Sequence, residues 1–433
     1  MSKHESHPIG IPHANRSGVE EDNAGVRSID RWAARHLIGL LERPLVSIVL
    51  WDGSEIKASE NRPVARVILR DRSALWRMVL CPPLGFGDGY SAGTIDVEGD
   101  LVDFNLAAIP ARPSSNLAAR LSADIGRWLY RPRRNTLFRS KANIFHHYDL
   151  GNEFYRLWLD EQMVYTCAYF PTPSMTLEQA QVAKMEHICR KLELTPDQTV
   201  VEAGCGWGSL GLHMARHHGV RVKAYNISSR QIAYARERVR AAGLADRVEY
   251  IEDDYRNIAG RYDAFVSVGM LEHVGTPYYS ELGQIIAGCL KKSGRGLIHT
   301  IGRNRPAANN IWIERRIFPG SYPPSLREMM LVFEEAPFSV LDVENLRLHY
   351  AETLRLWLER FDRARDQVRA SFDEAFVRAW RLYLAGSAAA FLGSSLQVFQ
   401  VLFAYPQNNE IPRTRSHQYP HASQRAATGD SAH

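Results

Sequence analysis

Residues 200–215 read VVEAGCGWGSLGLHMA. A β-branched run ends at Glu202, glycines follow at Gly204, Gly206 and Gly208, and a helical pattern begins. Glycines allow tight turns and close approach of a ligand. The stretch is therefore a strand, a ligand-facing turn and a helix. Two nucleotide-binding loops do not fit it. In the dinucleotide fingerprint GxGxxG, read from Gly204, the third glycine falls on Ser209. The phosphate loop GxxxxGK[ST] is absent.

The same alternation continues outward. TVVEAG, RVKAYNIS, VEYIED, YDAFVSVGM and GRGLIHTIG read as strands. RQIAYARERVRAAG and PYYSELGQIIAGCLKK read as helices between them. This order predicts an α/β fold with a doubly wound parallel sheet. The segment 147–170, HYDLGNEFYRLWLDEQMVYTCAYF, reads as a packed helical cover. The last 100 or so residues include a helical region rich in aromatics, among them Trp357, Phe361, Trp380, Phe399 and Phe403.

Upstream, residues 28–110 read as a smaller α+β unit. SIDRWAARHLIGLLE has helical spacing, with Ile29, Trp32, Leu37 and Leu40 on one side. SIVLWDG, ARVILRD and WRMVLC read as strands, and the glycine-rich LGFGDGYSAGTIDVEGDL follows. No nucleophile is paired with a base there, so the unit reads as structural or substrate-delivering. Residues 111–141 form a connector, an amphipathic helix followed by the basic loop RPRRNTLFRSK. Residues 1–27 and 406–433 lack apolar periodicity and read as disordered tails. The catalytic unit spans 142–405.

The chain of 433 residues is 45% hydrophobic and 23% charged, enough for a sizeable core. Its formal charge of +5 is too small for a protein that coats nucleic acid. The excess has one source. Arg120, Arg127, Arg131, Arg133, Arg134, Arg139 and Lys141 face a single acid, Asp124, and without that stretch acids outnumber bases. The connector is open to two readings, a solvated linker or a patch for anionic lipid head groups. The five cysteines form no CxxC pair, which argues against a zinc ribbon or a disulfide framework. A reducing compartment fits them. No apolar run reaches the ~18 residues needed to span a bilayer. The expectation is a cytoplasmic protein, peripheral at the inner membrane surface, with no metal site.

E-x-G-x-G-x-G at Glu202–Gly208 resembles motif I of class I methyltransferases that use S-adenosylmethionine. Taken with HYDLGNEFYRLWLDEQMVYTCAYF, NISSRQ, SVGMLEHVG, LIHTIG, WIERRIFPG and HYAETLRLW, the chain resembles the cyclopropane-fatty-acyl-phospholipid and mycolic-acid cyclopropane synthases from about Asn143 to Phe403. Residues 28–110 resemble, more weakly, the accessory domain of the longer bacterial phospholipid enzymes. The resemblance implies a Rossmann-like sheet and transfer of a methylene group from S-adenosylmethionine to a cis double bond of a phospholipid acyl chain. It implies a bound bicarbonate as base, in a pocket matched by Cys167, Glu272, His299, Ile301 and Tyr350. Backbone groups of Cys167 and Ile301, with the His299 and Tyr350 side chains, would surround the anion.

Cofactor residues implied in the same way are Tyr165 and Thr166 beside the sulfonium, and Glu202, Gly204, Gly206 and Gly208 in the loop. Asn226 and Gln231 match the ribose side, and Asp254 with Tyr255 the adenine side. Asn226 departs from the usual acid but still hydrogen-bonds a hydroxyl. Ser387 stands where family members often carry a cysteine, so a cysteine nucleophile is not required here.

An unsaturated phospholipid in a bilayer and an anionic membrane surface are the implied partners, with a homodimer as a candidate assembly. A fatty-acyl methyltransferase making a methyl- or methylene-branched chain is the nearest alternative. A non-enzymatic lipid-binding relative is a third reading. GMLEHVG stands where nucleic-acid amino-methyltransferases carry an NPPY-like motif, so no nucleic-acid partner is expected.

Overall fold

The computed structural model describes residue 10 and residues 25–41, 45–57, 61–108 and 150–419. The basic connector, the first 24 residues apart from Gly10, and the chain from 420 onward lie outside the described residues.

Seven strands form the main sheet: β5 (Thr199–Ala203), β6 (Arg221–Asn226), β7 (Val248–Glu252), β8 (Tyr262–Val268), β9 (Leu290–Gly302), β10 (Ser339–Asn345) and β11 (Gln397–Ala404). Their order is β10-β11-β9-β8-β5-β6-β7. The five strands read from the sequence are parallel, and the doubly wound sheet is as expected. β10 and β11 were not read as strands. They add an antiparallel edge, β11 on β9 and β10 on β11. Phe399 and Phe403 therefore sit on a fully buried strand, not in a helix. QVFQVLFA is a continuous run between two neighbours, and periodicity does not tell such a run from buried helix. The 147–170 segment is also less helical than expected. One short helix, Asn152–Arg156, is followed by turns that still bury Trp158, Met163 and Cys167.

The N-terminal unit has a four-stranded sheet, order β2-β1-β3-β4, built from β1 (Val46–Val49), β2 (Glu55–Ile56), β3 (Ala65–Leu69) and β4 (Ile95–Glu98). WRMVLC is not a strand there. It lies largely in the helix Arg72–Leu80, started by Asp71, whose carboxylate accepts from the Ala74 amide at 2.8 Å. The glycine-rich stretch is likewise a helix, Pro82–Ala92, with proline in its first turn. In the helix Ser28–Gly39 the buried face is Ala33, Ala34, Leu37 and Ile38, while Ile29, Trp32 and Leu40 face outward. Asp30 on the buried side explains the rotation. Its carboxylate takes Arg72 Nε at 2.9 Å and Trp76 Nε1 at 3.1 Å.

This unit shares one hydrophobic core with the aromatic helices of the catalytic unit. Its helices Pro82–Ala92 and Leu101–Ala108 pack on the helix Glu374–Leu392. Arg378 of that helix donates to the Ile95 carbonyl at 2.8 Å and to Asp96 Oδ1 at 3.0 Å. Residues 406–419, assigned to a tail from sequence, lie on the body. Asn408 and Gln418 are buried, and the Gln418 carbonyl accepts from Arg190 Nε at 3.0 Å. Among the described residues no helix is long and apolar enough to cross a membrane.

Candidate active site

β5 pairs with β6 on one side and β8 on the other, so the strand order reverses there. The crevice beyond the strand ends at such a point is where α/β sheets take ligands. The glycine loop lies in it. Gly204, Gly206 and Gly208 have φ of 85°, 53° and 82°. A Cβ on Gly208 would meet Tyr250 Cζ at 2.6 Å and Ala235 Cβ at 2.7 Å. The Tyr250 hydroxyl donates to the Gly208 carbonyl, so Gly208 seats the loop on the sheet. It does not line the cavity beside the loop, whereas Gly204 and Gly206 do.

That cavity has a volume of about 240 Å3. One end is polar. Glu202 closes it from β5 with Oε2 buried and without a hydrogen-bond partner. Burial pushes its carboxyl up to about 7, partly offset by Lys184 and the Gly211 amide. Asn226 Nδ2 donates to Gln231 Oε1 at 2.8 Å, and both side chains face the same end. Tyr165 and Thr166 also line the cavity. An orphaned carboxylate, a paired amide couple and two bare glycines fit a ligand with a cationic centre and hydroxyls, as S-adenosylmethionine has. Asp254 and Tyr255 follow Asp253, whose amide donates to the Asn226 carbonyl at 3.1 Å. Neither lines the cavity, and Asp254 Oδ1 caps the Arg256 amide at 3.0 Å.

Further in, the structure brings Cys167, Glu272, His299, Ile301 and Tyr350 to one lining. Glu272 follows β8 in the helix Leu271–Val274, and His299 and Ile301 lie on β9. Glu272 Oε1 accepts the Ile301 amide at 2.6 Å, while Oε2 is buried without a partner. Burial lifts this carboxyl to about 7 against the pull of the Ile301 amide. The Ile301 N–H thus orients Glu272. Burial drives His299 well below the ordinary imidazole range, so its ring is neutral. Burial also pushes the Cys167 thiol up, and its Sγ donates to the Ala168 carbonyl at 3.1 Å. Cys167 is a packed thiol and no nucleophile.

The remaining wall is apolar and aromatic. Tyr383, Ser387 and Phe391 line it at intervals of four along the helix Glu374–Leu392, joined by Phe318 and Leu396. Tyr165 Oη lies 2.8 Å from Tyr383 Oη. Sequence reasoning missed Lys184 and His273. Lys184 Nζ donates to Thr166 Oγ1 at 2.9 Å, and burial lowers its pKa to about 8. His273 lines the cavity and is held neutral, burial lowering it to about 4. Their signal was weak, a lysine in a polar helix and a histidine beside a stronger motif. Outside the cavity, Cys189, His213 and His218 bring ligand atoms within 4.8 Å. Glu186 Oε2 already lies between the two imidazoles, 3.3 Å from His213 Nε2 and 3.0 Å from His218 Nε2.

Residues 136–401 match the profile of the mycolic acid cyclopropane synthetase family. The chain belongs to that family. It is an enzyme of the cyclopropane synthase type, built on the sheet of S-adenosylmethionine-dependent methyltransferases. A probable fatty acid methyltransferase of Pseudomonas putida is 34% identical over 381 residues, covering 86% of this chain and 95% of its own length. The cyclopropane-fatty-acyl-phospholipid synthase of Escherichia coli K12 is 38% identical over 266 residues, 61% of this chain and 68% of its own. Among solved structures, the mycolic acid cyclopropane synthase CmaA1, complexed with S-adenosylhomocysteine and CTAB, is 29% identical with a TM-score of 0.58. That match covers 61% of this chain and 97% of CmaA1.

In this member the N-terminal unit packs on a stretch that helps line the site. Trp312 precedes a π-helical turn, Ile313–Ile317, and the cavity wall takes Ile313 and Phe318 from this stretch. A Cβ on Gly87 would lie 2.4 Å from the Trp312 ring, and Arg316 pairs with Asp88 at 2.8 Å. Gly87→Val should displace Trp312 and shift that wall. The expected loss in turnover is about 10- to 100-fold, because reacting groups tolerate little misplacement. Turnover assays with a binding measurement for S-adenosylmethionine check it, and equal turnover would show that the unit does not shape the site.

Proposed function

We propose that this protein transfers a methylene group from S-adenosylmethionine to the cis double bond of an unsaturated phospholipid acyl chain, closing a cyclopropane ring. The observation that carries the reading is the cavity lining shared by Glu272 and His299, which offers a buried carboxylate oxygen without a partner and a neutral imidazole. When bound, S-adenosylmethionine supplies a sulfonium methyl that the alkene π electrons take up, leaving S-adenosylhomocysteine and a carbocation on the chain. Glu202, Asn226 and Gln231 would hold the cofactor's polar parts, with Tyr165 and Thr166 at the sulfonium. Tyr165, Tyr350 and Tyr383 line the cavity, and aromatic π faces stabilise a developing positive charge. The apolar wall keeps out water that would trap the cation.

Ring closure requires a proton to leave the added methyl. Glu272 Oε2 and His299 would hold bicarbonate, a base with little nucleophilicity toward carbon. A carboxyl near 7 suits this role, because it shares a proton with the bicarbonate hydroxyl in place of repelling the anion. The residues fit the ion in number and polarity.

A second reading has its own support. The Pseudomonas relative that matches almost end to end is named a fatty acid methyltransferase. In that reaction the cation loses its proton elsewhere and a methyl or methylene branch results. Mass spectrometry of lipids from an expressing host, with and without S-adenosylmethionine, tests the common step through a gain of one CH2 on unsaturated chains. Upfield ring-methylene protons in the NMR spectrum identify the cyclopropane, and vinylidene or methyl signals the branch. No mass gain would count against both.

We also propose docking to an anionic bilayer through the basic connector at residues 111–141. Arg131, Arg133 and Arg134 changed together to Gln should weaken binding to anionic vesicles by roughly 10-fold or more at low salt, at about 1 kcal/mol per basic residue. The difference should shrink as salt rises. Unchanged vesicle binding would refute the role.

A further inference from the structure

A polar chain with no part in the reaction so far runs behind His299. Cross-strand register aligns three side chains on one face of the sheet. His299 on β9 pairs with Gln400 on β11, and Gln400 pairs with Glu344 on β10. Lys191 of the helix Leu177–Leu192 lies over them. Lys191 Nζ donates to Glu344 Oε2 at 2.6 Å and to Gln400 Oε1 at 2.8 Å. The Gln400 amide nitrogen lies 3.1 Å from His299 Nδ1. Gln400 is fully buried and Lys191 nearly so. Burial opposes the Glu344 charge, but His187 and Lys191 hold its carboxyl at about 2.

Each link has one allowed direction. An ammonium only donates, so Lys191 must face the carbonyl oxygen of Gln400. That turns the Gln400 NH2 toward the ring, and an NH2 only donates. His299 Nδ1 must then accept. A neutral imidazole has a single N–H, which therefore sits on Nε2.

We infer that Lys191 and Gln400 are positioning residues that lock His299 as the Nε2–H tautomer, so that it acts in the cavity as a hydrogen-bond donor and not as a base. The functional half of this rests on the proposed reaction, in which that N–H holds the small anion beside Glu272. The tautomer half rests on the buried chain alone.

Long-range 1H–15N spectra of histidine-labelled protein read the tautomer directly, with His299→Asn to assign the signals. The wild type should show a proton on Nε2 and a bare Nδ1. Gln400→Glu keeps the shape of the side chain but replaces the donor with an acceptor, so Nδ1 should become protonated. Lipid turnover should fall about 10- to 100-fold, the usual cost of losing an outer partner that orients an active group. S-adenosylmethionine binding should stay unchanged. Lys191→Met frees the Gln400 amide to rotate and should give a mixture of tautomers with an intermediate loss.

A wild-type ring protonated on Nδ1 overturns the inference, whatever the variants do. A switched tautomer with full turnover overturns its functional half. The spectra need no turnover, so a wild type inactive on lipid would sink the proposed reaction without touching the tautomer result.

Discussion

Glu272→Gln lowers lipid turnover by about 10²- to 10⁴-fold, the range for removing a group that handles a proton in the transition state. The amide oxygen can still accept the Ile301 N–H, so the local backbone keeps its anchor. The amide nitrogen replaces Oε2, the buried oxygen without a partner. It cannot share a proton with an anion. S-adenosylmethionine should bind within about twofold of the wild type, because the lost interaction is one made in the transition state. Turnover by mass spectrometry beside calorimetric cofactor binding checks this. Full activity would take Glu272 out of the mechanism.

The same variant carries a pH test. Burial raises the Glu272 carboxyl from 4.5 to about 7, so the fold prefers its neutral form. Between those values the folded chain holds a proton that the unfolded chain has released. The stability from this group is full below the unfolded value and is lost as pH rises through the folded one. Denaturant titrations should show wild-type stability falling relative to Glu272→Gln as pH rises from about 5 to about 8. A pH-independent difference would mean that the carboxylate is not buried as the structure has it.

Trp380→Ala should destabilise the chain by about 3–5 kcal/mol, the range for truncating a buried large aromatic. Trp380 is fully buried where the two units share their core. Its ring meets Phe154 edge-on at 5.0 Å, stacks on Phe376 at 5.5 Å and meets Tyr383 edge-on at 5.3 Å. Trp158 lies at 6.0 Å. Several rings border the void at once, so collapse around it is limited. Tyr383 and Tyr165 carry this cluster into the cavity, so turnover should fall as well. Chemical denaturation midpoints measure the loss, and a shift worth less than about 1 kcal/mol would show that the cluster repacks.

The glycine loop was legible because its chemistry is local. Gly204 and Gly206 need positive φ and room for a ligand, and few other residues meet both demands. Glu202 and Asn226 were legible by their place at strand ends, and Gln231 only through the family resemblance. Asp254 and Tyr255 were legible only as a motif, and the described chain puts them outside the cavity lining. WRMVLC misled because a short, mostly apolar run suits a strand as well as a helix. Asp71 capping the Ala74 amide decided between them. β10 and β11 were hidden for a similar reason. Their pairing joins residues more than fifty positions apart, and no local spacing encodes that partner.

The sequence by itself determined the parallel sheet, the cofactor-side loop and the set of residues at the chemical end of the cavity. The sheet follows from short-range periodicity and the loop from residue types with few substitutes, while the chemical-end set was implied by the family resemblance. Only the tertiary structure decided the roles of the polar residues in the helix Leu177–Leu192. Gln181, Lys184, His187 and Lys191 are all buried. Residues 164–166 set polar partners opposite the first two, and β10 and β11 do so for the last two. Lys191 faces Glu344 and Gln400, and Lys184 faces Thr166. A charge enters a core when another element meets it there, and which element that is depends on long-range strand register.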